Sequence, residues 1–178
     1  MATKEEISMV GFEIVAYAGD AQTDLLAALD AAREGDFEKA EQLHKDASDA
    51  LIGAHDTQTK LLSQEAGGGE MEMTFIMAHA QDTLMTTMIL EKQTRFTIDA
   101  YKRIAELDKQ MERDNARMEE LLAKMADPDF YINEDASSDA VAEHSKLKQR
   151  IAAAEEEWFM LNEELEEEMA KQAEAMGV

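Results

Sequence analysis

The first two segments of the chain place apolar residues at the three- and four-residue spacing of amphipathic helices. This spacing predicts one helix from Glu5 to Arg33 and a second from about Phe37 to Ala66. Between them, Gly35 suits the left-handed conformation after a helix end, and Asp36 suits the N-cap of the next helix. The glycine run 67–69 ends the second helix, because consecutive glycines have little helical preference.

A third helix is predicted to begin near Glu70, and no further glycine or proline interrupts it before Pro128. Between Met71 and Leu90 it is apolar on nearly every side. A helix that is apolar all round is buried all round, yet two neighbouring helices cover only part of its circumference. We therefore expect other copies of the chain to cover it, in a closed oligomer with the third helices at the centre.

From Arg103 onward the pattern narrows to the seam of a coiled coil, with Asp114 as one polar interruption. A loop is predicted from Phe130 to Ser138. Two heptad helices joined by such a loop pack most simply as an antiparallel hairpin. The predicted seam residues are Ile104, Leu107, Met111, Met118, Leu121 and Met125 in the first run, and His144, Leu147, Ile151, Ala154, Trp158, Leu161, Leu165 and Met169 in the second.

The predicted elements describe an all-α protein with two domains. Residues 1–102 form a three-helix antiparallel bundle, and residues 103–178 form the coiled-coil hairpin, into which the third helix continues. Hydrophobic residues make up 45% of the 178 residues and charged residues 32%, a balance that supports folded structure.

Charge and composition exclude several classes of function. The formal net charge is -23, which disfavours binding to nucleic acid or to anionic membranes. The absence of cysteine excludes disulfides, thiolate metal sites and cysteine nucleophiles. No apolar run is long enough to span a membrane, and the N-terminus lacks the pattern of a signal peptide, so we expect a cytoplasmic protein without membrane insertion.

His79 is the candidate for covalent chemistry, because it lies in the middle of the apolar stretch of the third helix. A neutral imidazole is a competent nucleophile toward a phosphoryl donor. The alternative is a core histidine satisfied by a neighbouring hydrogen bond. A second histidine, His55, lies on the second helix. His44 and His144 are expected to be a surface residue and a seam residue.

Asp82 shares a helix face with His79, whereas Gln81 points elsewhere. A carboxylate on the most buried helix is costly unless it is paired. If three copies of the helix meet on an axis, three Asp82 carboxylates converge, and a cation such as Mg²⁺ would offset their repulsion, with waters held by Gln81. The alternatives are a lysine partner on another helix or a place at the edge of the buried zone.

Other chemistries find no support in the motifs. The glycine run lacks the lysine and hydroxyl residue of a phosphate-binding loop, and neither a His-Glu-x-x-His motif nor the Glu-x-x-His pairs of a di-iron bundle occur. The methionine run is expected to fill the core rather than bind a soft metal. Its members are Met71, Met73, Met77, Met85 and Met88.

Residues 4–104 resemble the IIA component of the lactose/cellobiose-type sugar phosphotransferase system. The matching segments are EEISMVGFEIVAYAGDAQTDLLAAL, AAREGDFEKAEQL, AH–QTKLL at 54–62 and HAQD–LMT at 79–86. The resemblance implies a homotrimer of three-helix subunits with a nine-helix core, phosphoryl transfer from HPr through His79 to a cysteine of the IIB component, and a metal-binding Asp82. Gln81, His55 and Gln58 are taken as supporting residues.

Two departures from that family affect the expected chemistry. Thr83 stands where the family usually has a second histidine, which removes any hydrogen bond or proton relay that such a histidine would supply. Residues 91–97 of the predicted third helix also differ from the acidic and aliphatic pattern usual in the family, so the docking of partner proteins is expected to differ.

Residues 103–178 resemble the C-terminal coiled-coil hairpin of ABC-F ATPases. The matching pieces are LLAKMADPDFYIN and KLKQRIAAAEEEWFMLNEELEE, which includes Trp158. No ATPase motif is present, so no use of ATP is implied. A helix that joins two such modules without a linker is what a designer of rigid fusions would choose.

Three hypotheses of function follow from these observations. The first is a working phosphocarrier that uses His79. The second is a designed, self-assembling scaffold that uses the trimer and the rigidly fused hairpin, without a phosphotransfer role. The third is a natural regulatory fusion whose hairpin docks another protein. The sugar cannot be named, because a phosphocarrier does not contact it.

Overall fold

The structure is a computed structural model that describes residues 3–69, 72–132 and 134–176, apart from the side chains of 131, 134–136, 172, 173, 175 and 176. Within these ranges every regular element is helical, which confirms the all-α prediction. The elements are α1 (Lys4–Arg33), α2 (Phe37–Ala66), α3 (Phe75–Met125), a 3₁₀ turn (Phe130–Ile132) and α4 (Glu134–Met176). The chain divides into unit 1 (Met1–Tyr101) and unit 2 (Lys102–Val178), next to the predicted domain boundary.

Local side-chain chemistry determines both ends of α1 and the start of α2. At the start of α1, the Thr3 hydroxyl accepts the Glu6 backbone N–H (3.2 Å) and the Glu6 carboxylate accepts the Thr3 N–H (2.7 Å). These hydrogen bonds to Thr3 lower the pKa of Glu6. Gly35 has a φ of 81°, and the Asp36 carboxylate accepts the Lys39 N–H, so the predicted turn is confirmed.

The third helix begins later than predicted, at Phe75 rather than near Glu70. Its start is marked by Thr74, a buried residue whose hydroxyl accepts the Met77 backbone N–H at 3.2 Å. A threonine that caps a helix in this way favours an extended conformation for its own backbone. Glu70 and Met71 lie outside the described residues.

The core of unit 1 lies between its three helices. Gly11 marks a close approach of α1 to α3, since a Cβ atom there would lie 3.2 Å from the backbone C of Ile76 and N of Met77. A larger residue would therefore push the helices apart. The principal buried cluster comprises Ile7, Ile14, Ala21 and Leu25 of α1, Ala47, Leu51 and Ala54 of α2, and Met77, Ala80 and Leu84 of α3.

Polar contacts also join α2 to α3. Arg95 forms two hydrogen bonds with the Glu41 carboxylate, both 2.6 Å long. Glu41 and Asp99 together raise the pKa of Arg95 above its ordinary value. His44, predicted to be a surface residue, is only 7% exposed, and its Nε2 lies 3.2 Å from the carbonyl oxygen of Glu91. That prediction was wrong because His44 shares the α2 stripe of the fully buried Ala40 and Ala47.

Unit 2 is the predicted antiparallel hairpin of the second part of α3 with α4. Three ion pairs cross it in consistent antiparallel register: Arg103 with Glu157, Asp114 with Arg150, and Arg117 with Glu143. Asp114 is buried at the heptad position between the buried Leu107 and Leu121. The second heptad run extends less far than predicted, since Leu165 is buried but Met169 is exposed.

The connection between the two hairpin helices is shorter than predicted. Phe130–Ile132 forms a 3₁₀ turn and α4 begins at Glu134, whereas the sequence predicted a loop to Ser138. Acidic residues favour the first turn of a helix, where the backbone N–H groups have no partner within the helix. Residues 134 and 135 are both acidic, which favours a helix start at this position. None of the helices in the described part of the chain is long and apolar enough to cross a membrane.

Candidate functional site

One side of α3 in unit 1 faces solvent and carries both residues that the sequence selected for chemistry. His79 and Asp82 are exposed, and so are the large apolar residues around them: Phe75 is 92% exposed and Ile89 59%. We call this the α3 face. Its members are Phe75, His79, Asp82, Met85 and Ile89 at the three- and four-residue spacing of a helix, and Phe96 seven residues after Ile89.

The exposure of this face corrects the prediction that the third helix is buried all round. In a single chain only its inner side, which includes Ala80 and Leu84, is covered by α1 and α2. The methionine run divides in the same way: Met77 is buried and Met88 half-buried, but Met73 and Met85 are exposed. Met71 lies outside the described residues. One subunit thus leaves an apolar face open around His79.

Two threonine hydroxyls form hydrogen bonds with the backbone carbonyls of His79 and Asp82. The Thr83 hydroxyl donates to the carbonyl oxygen of His79 (2.9 Å), and the Thr86 hydroxyl donates to the carbonyl oxygen of Asp82 (2.8 Å). Thr83 therefore uses its hydroxyl for a hydrogen bond within the helix. Among the described residues, the His79 imidazole has no hydrogen-bond or ionic partner within the chain, so its nitrogens are accessible to a reactant.

Asp82 is likewise without an ion-pair partner in the described part of its own chain. In those ranges, no group of three or more histidine, cysteine or carboxylate residues lies close enough to hold a metal ion. A single chain supplies one carboxylate at this position. Asp82 is exposed on the α3 face of the single chain. A cation site at Asp82 would require ligands from other copies or from water.

Gln81 points away from the α3 face, as predicted, and lies with Gln58 in a separate crevice. This crevice has a volume of about 60 Å³ and lies between the three helices of unit 1. Gln58 is buried and Gln81 half-buried. The walls are mainly apolar; the other lining residues are Ile7, Leu61, Leu62, Glu65, Glu72, Met73 and Met77. The structure thus brings the two glutamines together, but not beside His79.

His55 is exposed on α2, and the crevice is lined from that helix by other residues. The structure therefore does not group His55 with the two glutamines. His44 instead packs between α2 and α3, where its Nε2 lies against Glu91. Its three- and four-residue spacing from Ala47 and Ala40 in the sequence could have predicted this burial.

Comparison with known proteins assigns unit 1. Residues 9–102 match the family model "PTS system, Lactose/Cellobiose specific IIA subunit". The chain belongs to this family. A lactose-specific EIIA component of Lacticaseibacillus casei is 63% identical over 108 residues, which cover 61% of this chain and 96% of the relative. The corresponding component of Staphylococcus epidermidis is 47% identical over 100 residues, or 56% of this chain and 96% of the relative.

Solved structures agree with the IIA assignment. PtcA from S. mutans is 41% identical with a TM-score of 0.55, over 56% of this chain and 98% of that protein. The cellobiose-specific enzyme IIA from Bacillus anthracis is 30% identical with a TM-score of 0.54, over 60% of this chain and 95% of that protein. Each match covers nearly all of the IIA protein but little more than half of this chain, so unit 2 is an addition to the IIA fold.

Unit 2 has its own match. Residues 99–167 fit the model of the ABC transporter C-terminal domain. The two matches overlap at residues 99–102, within the uninterrupted helix α3. The chain therefore joins a IIA domain to an unrelated coiled-coil domain.

Proposed function

We propose that this IIA-family protein is a phosphocarrier, in which His79 accepts a phosphoryl group from HPr and passes it to a IIB component. The observation that carries the proposal is the position of His79, which is exposed on an open apolar face and whose imidazole has no partner among the residues that the structure describes. Because HPr and IIB are components of a cytoplasmic relay, we also propose a cytoplasmic location.

The proposed transfer needs little from the protein beyond an accessible nitrogen. A neutral imidazole nitrogen of His79 attacks the phosphorus atom of phosphorylated HPr, so a new N–P bond forms as the donor's N–P bond breaks. In the second step a cysteine thiolate of IIB attacks the same phosphorus, an S–P bond forms, and the electron pair of the N–P bond returns to the imidazole. The hydroxyls of Thr83 and Thr86 donate to the backbone carbonyls of His79 and Asp82 in the helix that presents the ring.

The remaining histidines suit this role less well. His44 is buried and its Nε2 lies within 3.4 Å of the Glu91 side chain, so phosphorylation would disrupt the α2–α3 contact. His144 is half-buried in the hairpin. His55 is accessible but lies outside the apolar α3 face. We retain His55, Gln58 and Gln81 as proposed supporting residues, with the two glutamines acting through the crevice that they share.

We further propose that unit 1 forms a homotrimer. Besides the α3 face, α1 exposes a second set of large apolar residues, and contiguous exposed apolar surface is typical of an interface. Apolar surface on both α1 and α3 favours a closed ring of copies with the α3 helices at its centre. The exposed large apolar residues of α1 are Met9, Phe12, Tyr17 and Leu26.

Asp82 is the proposed ligand of a divalent cation such as Mg²⁺ in that trimer. The carboxylate fits such an ion by its donor chemistry, since Mg²⁺ prefers oxygen ligands and retains several waters. One carboxylate from each of three chains would supply the protein ligands. The ion would neutralise the three charges and hold the subunits together, and phosphoryl transfer would not require it as a reactant.

Phosphorylation tests the main proposal directly. The chain is incubated with radiolabelled phosphoenolpyruvate, the general phosphotransfer enzyme and HPr, and acid-labile label on the chain is measured. We expect label on the wild type and none on His79→Ala, whereas His144→Ala, in unit 2, remains labelled. Absence of label on a folded wild type would rule out the phosphocarrier. Transfer from the labelled chain to a IIB protein tests the second step.

A second candidate function is a designed scaffold, in which the trimer serves only to display the hairpins. It is favoured by the overlap of the two family matches within one uninterrupted helix, without a flexible linker. The particle mass in solution distinguishes the candidates. A trimer of three times 19.9 kDa suits both, but a defined larger assembly that cannot be labelled on His79 favours the scaffold.

A further inference from the structure

Helix α4 exposes two adjacent large apolar side chains that the hairpin does not use for its own packing. Phe159 is 64% exposed and Met160 54%, whereas the seam residues Ala154 and Leu165 on the same helix are buried. Solvent-facing positions of a coiled-coil helix are ordinarily polar. An exposed aromatic residue beside an exposed methionine on a helix surface is typical of a protein-binding surface, because both residue types are enriched at interfaces and methionine adapts to the shape of its partner.

Along α4, the charged residues on either side of this pair are all of one sign. Residues 151–170 contain eight glutamates and no lysine, arginine or histidine. Four of these glutamates are exposed at three- and four-residue spacing from the apolar pair, and none of the four has an ion-pair partner among the described residues. We call the six residues the α4 patch: Glu155, Glu156, Phe159, Met160, Glu163 and Glu164.

This combination selects one class of partner. The phosphates of nucleic acid and the headgroups of anionic membranes are repelled by the carboxylates. A polypeptide with apolar and basic side chains on neighbouring faces satisfies both features of the patch. The patch extends over ten helical residues, or about 15 Å, which matches two to three turns of a partner helix.

We propose that the α4 patch docks a basic amphipathic helix of another protein. Apolar side chains of that helix cover Phe159 and Met160, and its lysine or arginine residues lie against the four glutamates. The inference depends on unit 2 alone and stands whether or not His79 carries a phosphoryl group.

Peptide binding to the full-length chain tests the proposal. The probe is a fluorescent helical peptide of leucine and lysine with one apolar and one basic face, and the comparison peptide has the same composition in scrambled order. We expect fluorescence anisotropy to give at least about tenfold tighter binding of the ordered peptide. The double substitution Phe159→Ala and Met160→Ala, which preserves charge, should remove that difference.

Matched variants distinguish binding by the apolar pair and the four glutamates of the α4 patch from non-specific electrostatic attraction. Leu122→Ala with Val141→Ala removes two other exposed apolar residues of unit 2 and should leave binding unchanged. Replacing the four glutamates by glutamine should weaken binding and reduce its salt dependence. All four changed apolar residues are exposed, so each variant should keep the wild-type circular dichroism.

Three results would overturn the proposal. The first is equal binding of the ordered and scrambled peptides by the wild type. The second is an unchanged affinity of the folded Phe159→Ala, Met160→Ala variant for the ordered peptide. The third is tighter binding of duplex DNA or of phosphatidylserine vesicles than of the peptide.

Discussion

Arg150 Nη2 lies 2.5 Å from Oδ1 of Asp114, which is a buried carboxylate in the seam of the hairpin. The second carboxylate oxygen, Oδ2, is also buried and has no hydrogen-bond partner among the described residues. Arg150 itself is more than half exposed. The buried Asp114 carboxylate is therefore paired with one arginine that is itself partly exposed. A polar residue at a core heptad position can determine coiled-coil register.

Removal of Arg150 should destabilise the hairpin. We expect Arg150→Ala to lower the free energy of unfolding of unit 2 by about 1–2 kcal/mol, less than for a fully buried pair because Arg150 is partly exposed. Trp158 is the only tryptophan and lies in α4, so its fluorescence during urea unfolding reports on unit 2. Adding Asp114→Leu should restore the loss. A double variant that is less stable than Arg150→Ala would contradict this account.

Substitution of Gly11 tests the close packing of α1 against α3. Gly11→Ala should lower the stability of unit 1 by about 1–3 kcal/mol, because its Cβ would press on the α3 backbone. Gly53→Ala is the matched control, since it lies within α2 with nothing within 4 Å of the new Cβ. The control should raise stability by about 0.5–1 kcal/mol. Circular dichroism during urea unfolding measures both, and equal effects would contradict the close approach.

Acid should weaken the hairpin through two ion pairs. Arg117 and Arg103 lower the pKa values of Glu143 and Glu157 below the ordinary 4.5. A carboxylate whose pKa is lowered in the folded state stabilises that state above its unfolded pKa, and this contribution disappears as the pH falls through the folded value.

The urea midpoint followed by Trp158 fluorescence should therefore be nearly constant from neutral pH down to about 5 and fall below about 4.5. The variant with Arg103→Gln and Arg117→Gln should have a lower midpoint at neutral pH. Its difference from the wild type should shrink in acid, where both glutamates are protonated in either protein. A constant difference across this pH range would show that these pairs do not contribute through charge.

The α3 face should control oligomeric state if unit 1 forms the proposed trimer. Ile89→Asp introduces a charge into that face and should shift the mass measured by light scattering toward the monomer. Ile132→Asp, at an exposed apolar residue of unit 2, is the control and should leave the mass unchanged. A monomeric wild type would contradict the trimer.

The cation on Asp82 can be tested in the same measurement. A chelator should promote dissociation of the wild-type trimer, because three unneutralised carboxylates then repel one another. Asp82→Leu should form a trimer that is insensitive to the chelator, since the repulsion is removed with the carboxylate. If the chelator does not change the mass of the wild-type trimer, an accessible cation does not stabilise that trimer.

Much of this fold follows from local preferences of residues that are close together in the sequence. Gly35 and Asp36 predicted the α1–α2 turn because left-handed backbone and N-capping are local preferences. The heptad spacing predicted both hairpin helices and the polar position of Asp114, since the period of apolar residues determines which side of a helix is covered. Four segments within residues 4–104, one of them around His79, were enough to recognise the resemblance to the IIA family, which the comparison confirms.

What the residues alone could not decide was which neighbours each side chain would meet. His44 was expected at the surface, but packing of α2 on α3 buries it against Glu91. Gln58 and Gln81 share a crevice because three helices converge there. The open α3 face around His79 is also a tertiary result: local periodicity shows that a helix is apolar all round, but only the placement of α1 and α2 determines which side remains for another molecule to cover.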